Sequence, residues 1–278
     1  MIRLYDYWRS SAAYRVRIAL NLKGATYDLV PINILGGVDE QLTDEYRTLN
    51  PQMRVPSIEV DGRVAGQSMA IIEWIDEALP GPALLPKDPW TRLQARAFAD
   101  VIACDIHPLN NLSPLAYLRK EFGADEAAIS CWYAEWIVRG FKALEEMAKA
   151  SEGSDFLFGE TPGLAEIALI PQMANARRFK VALDAFPRLL AVDAACRGLE
   201  PFVLAAPENR QDGNRIVIAG RDSAQDSINQ VGQEMTRRNM NIQPTLTERP
   251  GLPVRIIVNR DLVLRPYQPM FFQRGAMQ

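Results

Sequence analysis

The sequence predicts an α/β domain followed by an all-α bundle, and three observations lead to this prediction. Short apolar runs of strand composition alternate with helical stretches over roughly the first eighty residues. An Asp61-Gly62 pair separates two such runs, which is typical of a tight β-hairpin. From Trp90 to about Ala206 the apolar residues recur with helical spacing almost throughout. The chain therefore divides into a part that holds a sheet and a part that holds only helices.

The N-terminal elements are predicted from strand composition, helix-opening serines and glycine or proline stops. In order they are a strand at 2–7, a helix at 10–24, a strand at 27–34, a short helix at 39–49, a hairpin at 55–65 and an amphipathic helix at 67–79. The order β-α-β-α-β-β-α is that of a thioredoxin-like domain. We expect this domain to occupy residues 1–80.

The helical part is predicted to begin after a proline-rich linker, Pro80 to Pro89. A bundle of about five helices is expected between 90 and 207. The breaks in the helical pattern are His107-Pro108, Gly123, Ser151 to Asp155, Thr161-Pro162-Gly163, and Phe186-Pro187. We expect residues 90–207 to form one all-α domain.

Charge and composition exclude several function classes. The formal net charge is −3 with interspersed signs, so neither a nucleic-acid partner nor a membrane surface is expected, and any anion site must be local. Three cysteines lie far apart in sequence and suit a reducing compartment, which favours the cytoplasm. His107 is the single histidine. No metal site and no Ser/His/Asp triad is therefore expected.

The turn between the first strand and the first helix is the strongest candidate site. Arg9, Ser10 and Ser11 lie there, and N–H groups at a helix N-terminus stabilise a thiolate or a carboxylate. A serine hydroxyl adds one donor, which would lower the pKa of a bound thiol. Taken alone, Ser10 could equally be a helix cap.

Two further features lie close by in the predicted fold. Pro56 follows Val55 at the start of a strand and could present backbone groups to an extended ligand, although many prolines only end a strand. Gln67-Ser68 open another helix, where they could hold a carboxylate or serve as a cap. The joint arrangement of two helix N-termini and one proline turn in one small domain favours a ligand site.

Five separated segments resemble the zeta-class glutathione transferases, in particular the maleylacetoacetate and maleylpyruvate isomerases. They are Arg9–Leu20, Asn50–Pro56, Gln67–Glu73, Asp105–Leu112 and Pro171–Phe179. The resemblance runs in register from Met1 to about Pro207. It implies the glutathione transferase architecture, glutathione as cofactor, a small unsaturated diacid as substrate, and a homodimer. It leaves open which diacid is the substrate.

The resemblance also implies residue roles. Ser10 would contact the glutathione sulfur, and Arg9 and Arg178 would grip the substrate carboxylates, which guanidinium groups bind in a bidentate manner. Val55 would pair with the cysteinyl backbone, and Gln67 with Ser68 would hold the γ-glutamyl end. The remaining implied glutathione contacts are Ser11, Ala12, Ala13, Tyr14, Arg15, Gln41, His107, Asn111, Leu112 and Ser113.

The sequence departs from the family pattern at three places. Ala12 stands where a cysteine is frequent, and Gly163 stands where a Ser/Thr cap usually precedes an acid, here Glu166. Glycine at a cap costs only a few tenths of a kcal/mol. Pyruvate-type relatives can carry an arginine where Leu112-Ser113 stand. A glutathione-dependent cis–trans isomerase is the expected function; a general conjugating transferase and a non-catalytic glutathione-binding scaffold are the alternatives.

The tail from about Asp212 changes in composition and resembles a C-terminal fragment of the scaffold protein of type IV secretion and conjugal transfer channels. The resemblance is clearest over 227–239 and 243–267. A fragment of one helix and one or two strands buries too little apolar surface to fold alone. We therefore expect residues 212–278 to be a partly disordered appendage without a transport role, and expect its deletion to leave activity intact.

Overall fold

A four-stranded mixed sheet forms the centre of the N-terminal part in the computed structural model, which describes residues 1–35 and 37–207. The strands are Ile2–Asp6 (β1), Asp28–Pro31 (β2), Ser57–Val60 (β3) and Arg63–Gly66 (β4). Their order across the sheet is β2-β1-β3-β4; β1 and β2 are parallel, and β3 is antiparallel to both β1 and β4. The helices of this part are Ser11–Leu22 (α1), Asp44–Leu49 (α2) and Ser68–Ala78 (α3). The predicted thioredoxin-like order is confirmed.

The β3–β4 hairpin forms at the predicted Asp-Gly pair. Val60 pairs with Arg63, which leaves Asp61 and Gly62 as the two turn residues. Both have positive φ, 49° and 79°, as a type I′ turn requires.

Helix α1 lies in the interior, because residues 11–20 are all buried. Its Arg17 is fully buried and lies 2.5 Å from an Asp6 carboxylate oxygen. The same guanidinium donates to the backbone carbonyls of Ala205 and Trp8, at 2.9 and 3.0 Å. Arg17 thus fixes α1 against the first strand and against the last helix that the structure describes.

The second part is all-helical within the described residues, as predicted. Its helices are Pro89–Asp100 (α4), Leu112–Phe122 (α5), Glu126–Ala148 (α6), Leu164–Arg178 (α7), Pro187–Arg197 (α8) and Glu200–Ala205 (α9). A π-helical turn, Val101–Ile106, continues α4. The described residues form six α-helices where about five were expected, because the last segment is two helices. Gly198 ends α8 and Pro201 lies in the first turn of α9, positions that these two residues favour.

The proline-rich stretch between α3 and α4 is anchored to both parts. Leu84 is 1% exposed, and its backbone N–H donates to Asp76 at 2.8 Å. Its carbonyl accepts the N–H of Leu164, at the start of α7, at 2.8 Å. The segment therefore holds the start of α7 in place in addition to linking α3 to α4.

None of the helices among residues 1–35 and 37–207 combines the length and apolarity needed to span a bilayer. The predicted appendage at 212–278 and its expected partial disorder lie outside the described residues.

Candidate functional site

A cavity of about 720 Å³ opens between the N-terminal turn and the helical part. It brings together predicted site residues from five separate regions of the chain. Those that line it are Arg9, Ser10, Ser11, Gln41, Val55, His107, Asn111, Leu112, Ser113 and Arg178. The remaining predicted residues lie outside the cavity lining: Ala12, Ala13, Tyr14 and Arg15 are buried in α1, and Gln67 and Ser68 lie at the start of α3.

Ser10 is the N-cap of α1 and also lines the cavity. Its Oγ accepts the backbone N–H of Ala13 at 3.2 Å. Because this bond uses an oxygen lone pair, the hydroxyl hydrogen stays available to donate. Capping and donation to a ligand are therefore compatible in one side chain.

Ser11 and His107 form a hydroxyl–imidazole pair in the cavity wall. Ser11 Oγ lies 3.1 Å from His107 Nδ1, although the two residues are 96 positions apart. Burial, together with the positive charges of Arg15 and Arg54, lowers the pKa of His107 to about 3. The imidazole is neutral near pH 7 as a result.

Because the buried imidazole of His107 stays neutral, we expect the free energy of unfolding to depend on pH. In the unfolded chain His107 has a pKa of about 6.5, so that state binds a proton as the pH falls through this value while the folded state does not. The free energy of unfolding should fall by about 2 kcal/mol between pH 7 and pH 5 from this residue. Urea unfolding at both pH values should show a smaller fall in His107→Gln, which retains a polar partner for Ser11. Equal falls in both proteins would contradict the lowered pKa.

Arg9 is exposed and stacked on aromatic rings at the cavity rim. Its guanidinium carbon lies 4.8 Å from the Trp8 ring centroid and 5.8 Å from that of Tyr7. Its Nη2 also donates to the Tyr7 hydroxyl at 3.0 Å. These contacts orient the guanidinium without neutralising its charge.

Arg178 is the last residue of α7. It lines the same cavity as Arg9, although the two residues are far apart in the sequence. Its guanidinium carbon is 4.8 Å from the ring centroid of Phe179. That ring stacks on Tyr133 with centroids 3.5 Å apart. Burial raises the pKa of Tyr133 to about 12, an effect that Arg178 partly opposes. Tyr133 therefore stays protonated near pH 7. Separately, Arg178 has no carboxylate partner within ion-pair distance among the described residues.

The start of α3 has an unusual backbone conformation and lies beside a buried cation of α1, Arg15. Gln67 has φ +68°, outside the region that side-chain-bearing residues favour, and its amide donates to Gln52 at 2.8 Å. Ser68 Oγ lies 3.4 Å from Nη1 of Arg15, which is 1% exposed. Nε and Nη2 of Arg15 have no hydrogen-bond partner among the described residues. Burial lowers the pKa of Arg15 to about 10, which leaves it charged.

Other predicted residues contribute groups of different kinds. Gln41 has a buried side-chain oxygen without a partner in the described part of the chain. Asn111 caps α5 through a 2.7 Å bond to the N–H of Leu112. The peptide bond between Val55 and Pro56 is cis.

Sequence reasoning missed several residues of the cavity wall. They are Tyr7, Ile34, Leu35, Asp39, Leu42, Gln52, Met53, Arg54, Asn110, Ala116, Arg119, Tyr133, Asn175 and Phe179. Arg119 could have been found, because it lies seven residues after Leu112 and helical spacing places both on one face. Four arginines and one aspartate line the cavity, so a chain of net charge −3 has a locally cationic site. Such a site suits a ligand that carries several carboxylates.

Family profiles match three parts of the chain. The profile described as "Glutathione S-transferase, N-terminal domain" matches residues 4–83, and "Glutathione S-transferase, C-terminal domain" matches 132–192. A third, "Bacterial conjugation TrbI-like protein", matches 194–264. The third match confirms the resemblance of the tail and begins earlier than predicted, within the helical part.

Individual relatives cover the same region. A maleylpyruvate isomerase of Ralstonia sp is 48% identical over 212 residues, which are 76% of this chain and 99% of the relative. The holo structure of a maleylpyruvate isomerase, described as a bacterial zeta-class glutathione S-transferase, matches with TM-score 0.73 and 47% identity over 76% of this chain and 99% of that one. A maleylacetoacetate isomerase from Anaeromyxobacter dehalogenans with bound glutathione matches with TM-score 0.67 and 39% identity, over 77% and 98% of the two chains.

Proposed function

This chain belongs to the zeta-class glutathione S-transferases, and we propose that it is the glutathione-dependent isomerase that converts maleylpyruvate or maleylacetoacetate into the fumaryl product. The single observation that carries the proposal is the cavity itself. It combines a serine hydroxyl at a helix N-terminus with four arginines, and so offers a place for a thiolate beside a place for a diacid.

The chain's own residues fit glutathione as the cofactor. Glutathione is a tripeptide with two carboxylates and one ammonium group, and it needs acceptors as well as donors. The Gln41 oxygen is a buried acceptor without a partner in the described residues, and Arg15 has two nitrogens in the same state beside Ser68. Such buried groups are costly unless a ligand or water completes their hydrogen bonds.

When bound, glutathione supplies a thiol that adds to the cis double bond conjugated to a carbonyl, lets that bond rotate, and is eliminated to leave the trans isomer. Ser10 is proposed to donate its hydroxyl hydrogen to the sulfur, with the backbone N–H groups of Ser11 and Ala12 beside it. Both effects lower the pKa of a thiol and raise its nucleophilic fraction near neutral pH. The N–H groups of Ala13 and Tyr14 donate instead to Oγ and to the carbonyl oxygen of Ser10.

Other predicted residues are proposed to hold the tripeptide. The backbone of Val55 pairs with the cysteinyl part, and Gln67 with Ser68 binds the γ-glutamyl end, where the buried charge of Arg15 adds to the attraction for a carboxylate. Gln41, His107 and Asn111 to Ser113 complete the pocket. Val55, Gln41, His107 and Asn111 to Ser113 all line the cavity, which supports this assignment.

Arg9 and Arg178 are proposed to bind the substrate carboxylates and to stabilise the enolate that develops on addition. Both guanidiniums rest on aromatic rings and have no carboxylate partner among the described residues. They can therefore bind a diacid without first breaking an ion pair.

A spectrophotometric assay tests the function. Each of the two diacids should isomerise rapidly with glutathione and negligibly without it. A rate that is the same in the absence of the thiol would rule out the mechanism. The comparison of kcat/KM for the two diacids also identifies the preferred substrate.

The proposal includes a cytoplasmic location and a homodimer, as the resemblance implies. Light scattering coupled to size-exclusion chromatography should give a mass near twice 31.1 kDa. A mass of one chain would contradict the dimer.

A further inference from the structure

Arg119 is a cation that lines the cavity. None of the contacts proposed above for glutathione or for the substrate involves it. The face of α5 that lines the cavity carries Leu112, Ser113, Ala116 and Arg119, at the spacing i, i+1, i+4 and i+7 of one helical face. Of these four residues only Arg119 is charged. The cavity side of α5 therefore offers one site for a carboxylate.

Arg119 lies in a different part of the sequence and of the cavity lining from Ser10, where thiol addition is proposed. The chain enters α5 just after His107, whose ring contacts Ser11. Arg119 lies seven residues after the first residue of α5, which is about 10 Å farther along the helix axis. Arg119 therefore lies two turns along α5 from Leu112, and both residues line the same cavity as Ser10 and Ser11.

Glu126 orients Arg119 without using all its donors. Nε and Nη2 of Arg119 lie 3.0 and 3.3 Å from the two carboxylate oxygens of Glu126. A guanidinium has five N–H donors, so both hydrogens on Nη1 and one on Nη2 remain after this bidentate contact. The Glu126 side chain is 82% exposed, so water also solvates it and weakens its hold on the charge of Arg119.

We propose that Arg119 binds the substrate carboxylate that lies farthest from the reacting double bond, and that it is a specificity-determining residue for the diacid. This inference rests on the proposed function. Arg9 and Arg178 bind the two carboxylates as proposed above, and Arg119 adds a further guanidinium at the far one, so that binding depends on the presence and the distance of that carboxylate. Maleylacetoacetate carries that carboxylate one methylene farther out than maleylpyruvate, so the reach of residue 119 affects the choice between them.

The test compares diacids with a monoacid. The probe 4,6-dioxohept-2-enoate in its cis form keeps the reacting enone of maleylpyruvate and has a methyl group in place of the far carboxylate. In Arg119→Met, kcat/KM for both diacids should fall about tenfold or more, because a charge-assisted bidentate contact is lost. The value for the monoacid should change by less than about twofold.

Two matched variants separate binding from structure. Lys120→Met removes the same charge from the neighbouring exposed position outside the cavity lining and should leave all three substrates unchanged. Glu126→Gln removes the Arg119–Glu126 ion pair but keeps the guanidinium, so its effect on the diacids should be much smaller than that of Arg119→Met. Arg119→Lys, which keeps the charge on a side chain of different reach, should change the ratio of kcat/KM between the two diacids.

The outcomes are distinguishable. Equal losses on diacid and monoacid, or no loss on either diacid, would overturn the role of Arg119 while leaving the isomerase intact. No thiol-dependent turnover of any of the three compounds by the unmodified protein would overturn the proposed function itself.

Discussion

Replacing Ser10 with alanine is expected to lower kcat/KM for isomerisation about 100-fold or more, the range seen when one donor to a developing anion is removed. The hydroxyl hydrogen of Ser10 is free to donate because its oxygen caps α1 through the Ala13 N–H. Loss of that donor should also raise the pKa of the bound glutathione thiol. Ultraviolet difference absorbance of the thiolate, recorded over a pH series, measures this pKa directly.

The effect of Ser10→Ala on turnover must be separated from its effect on stability, because the change also removes an N-cap, which costs about 1 kcal/mol. Asp88→Ala is the matched control, because Asp88 caps α4 by accepting the Thr91 N–H at 2.8 Å and does not line the cavity. Both variants should lose similar stability, and only Ser10→Ala should lose turnover. If Ser10→Ala keeps its turnover and the thiol pKa stays constant, Ser10 is a cap and the thiolate is stabilised elsewhere.

Replacing Glu166 with alanine is expected to be the most destabilising of the changes considered. Glu166 is 2% exposed, and its two carboxylate oxygens accept the backbone N–H groups of Leu157 at 2.7 Å and Gly163 at 2.8 Å. Burial raises the pKa of this carboxyl, and the hydrogen bonds from the two N–H groups oppose that shift. Removing the side chain leaves both buried N–H groups without an acceptor, which should reduce the free energy of unfolding by about 3 kcal/mol or more.

Urea unfolding at pH 7 measures this loss. The free energy of unfolding of Glu166→Gln should lie between those of the unmodified protein and Glu166→Ala. The glutamine amide retains one oxygen acceptor but turns its own N–H groups towards a backbone donor. Glu135→Ala is the surface control, since its i,i+4 pair with Arg139 is exposed and should contribute less than about 0.5 kcal/mol. A loss in Glu166→Ala no larger than in this control would show that water satisfies the two N–H groups.

A close approach between two backbone segments explains why glycine stands at the cap of α7. A Cβ atom on Gly163 would lie 2.6 Å from the carbonyl oxygen of Leu84, closer than such atoms approach. The sequence predicts only a slightly weaker cap at Gly163. It indicates a linker around Leu84 and gives no sign that this stretch contacts the start of α7. Glu166 supplies half of a capping box here by accepting the Gly163 N–H, and the absent serine could not have been accommodated without moving the backbone.

The sequence by itself determined the elements and the chemistry that depend on near neighbours. The Asp61-Gly62 turn, the serine that opens α1 and the family motifs around Ser10, Val55 and Gln67 are all local patterns, since caps and turns are set by residues a few positions apart. The α/β and all-α parts follow from the same patterns. The division of the last helical segment at Gly198 and the π-helical turn that continues α4 were missed.

Tertiary structure alone decided which of those residues meet. Ser11 and His107 are joined across 96 positions, Gly163 approaches Leu84, and Arg119 reaches the cavity occupied by Arg9 and Arg178. Such contacts depend on how whole helices pack against the sheet, and no local pattern encodes a distance between remote segments. For that reason the sequence identified the serine at the helix N-terminus, whereas the packing of α5 placed Arg119 where it can bind the far end of a substrate.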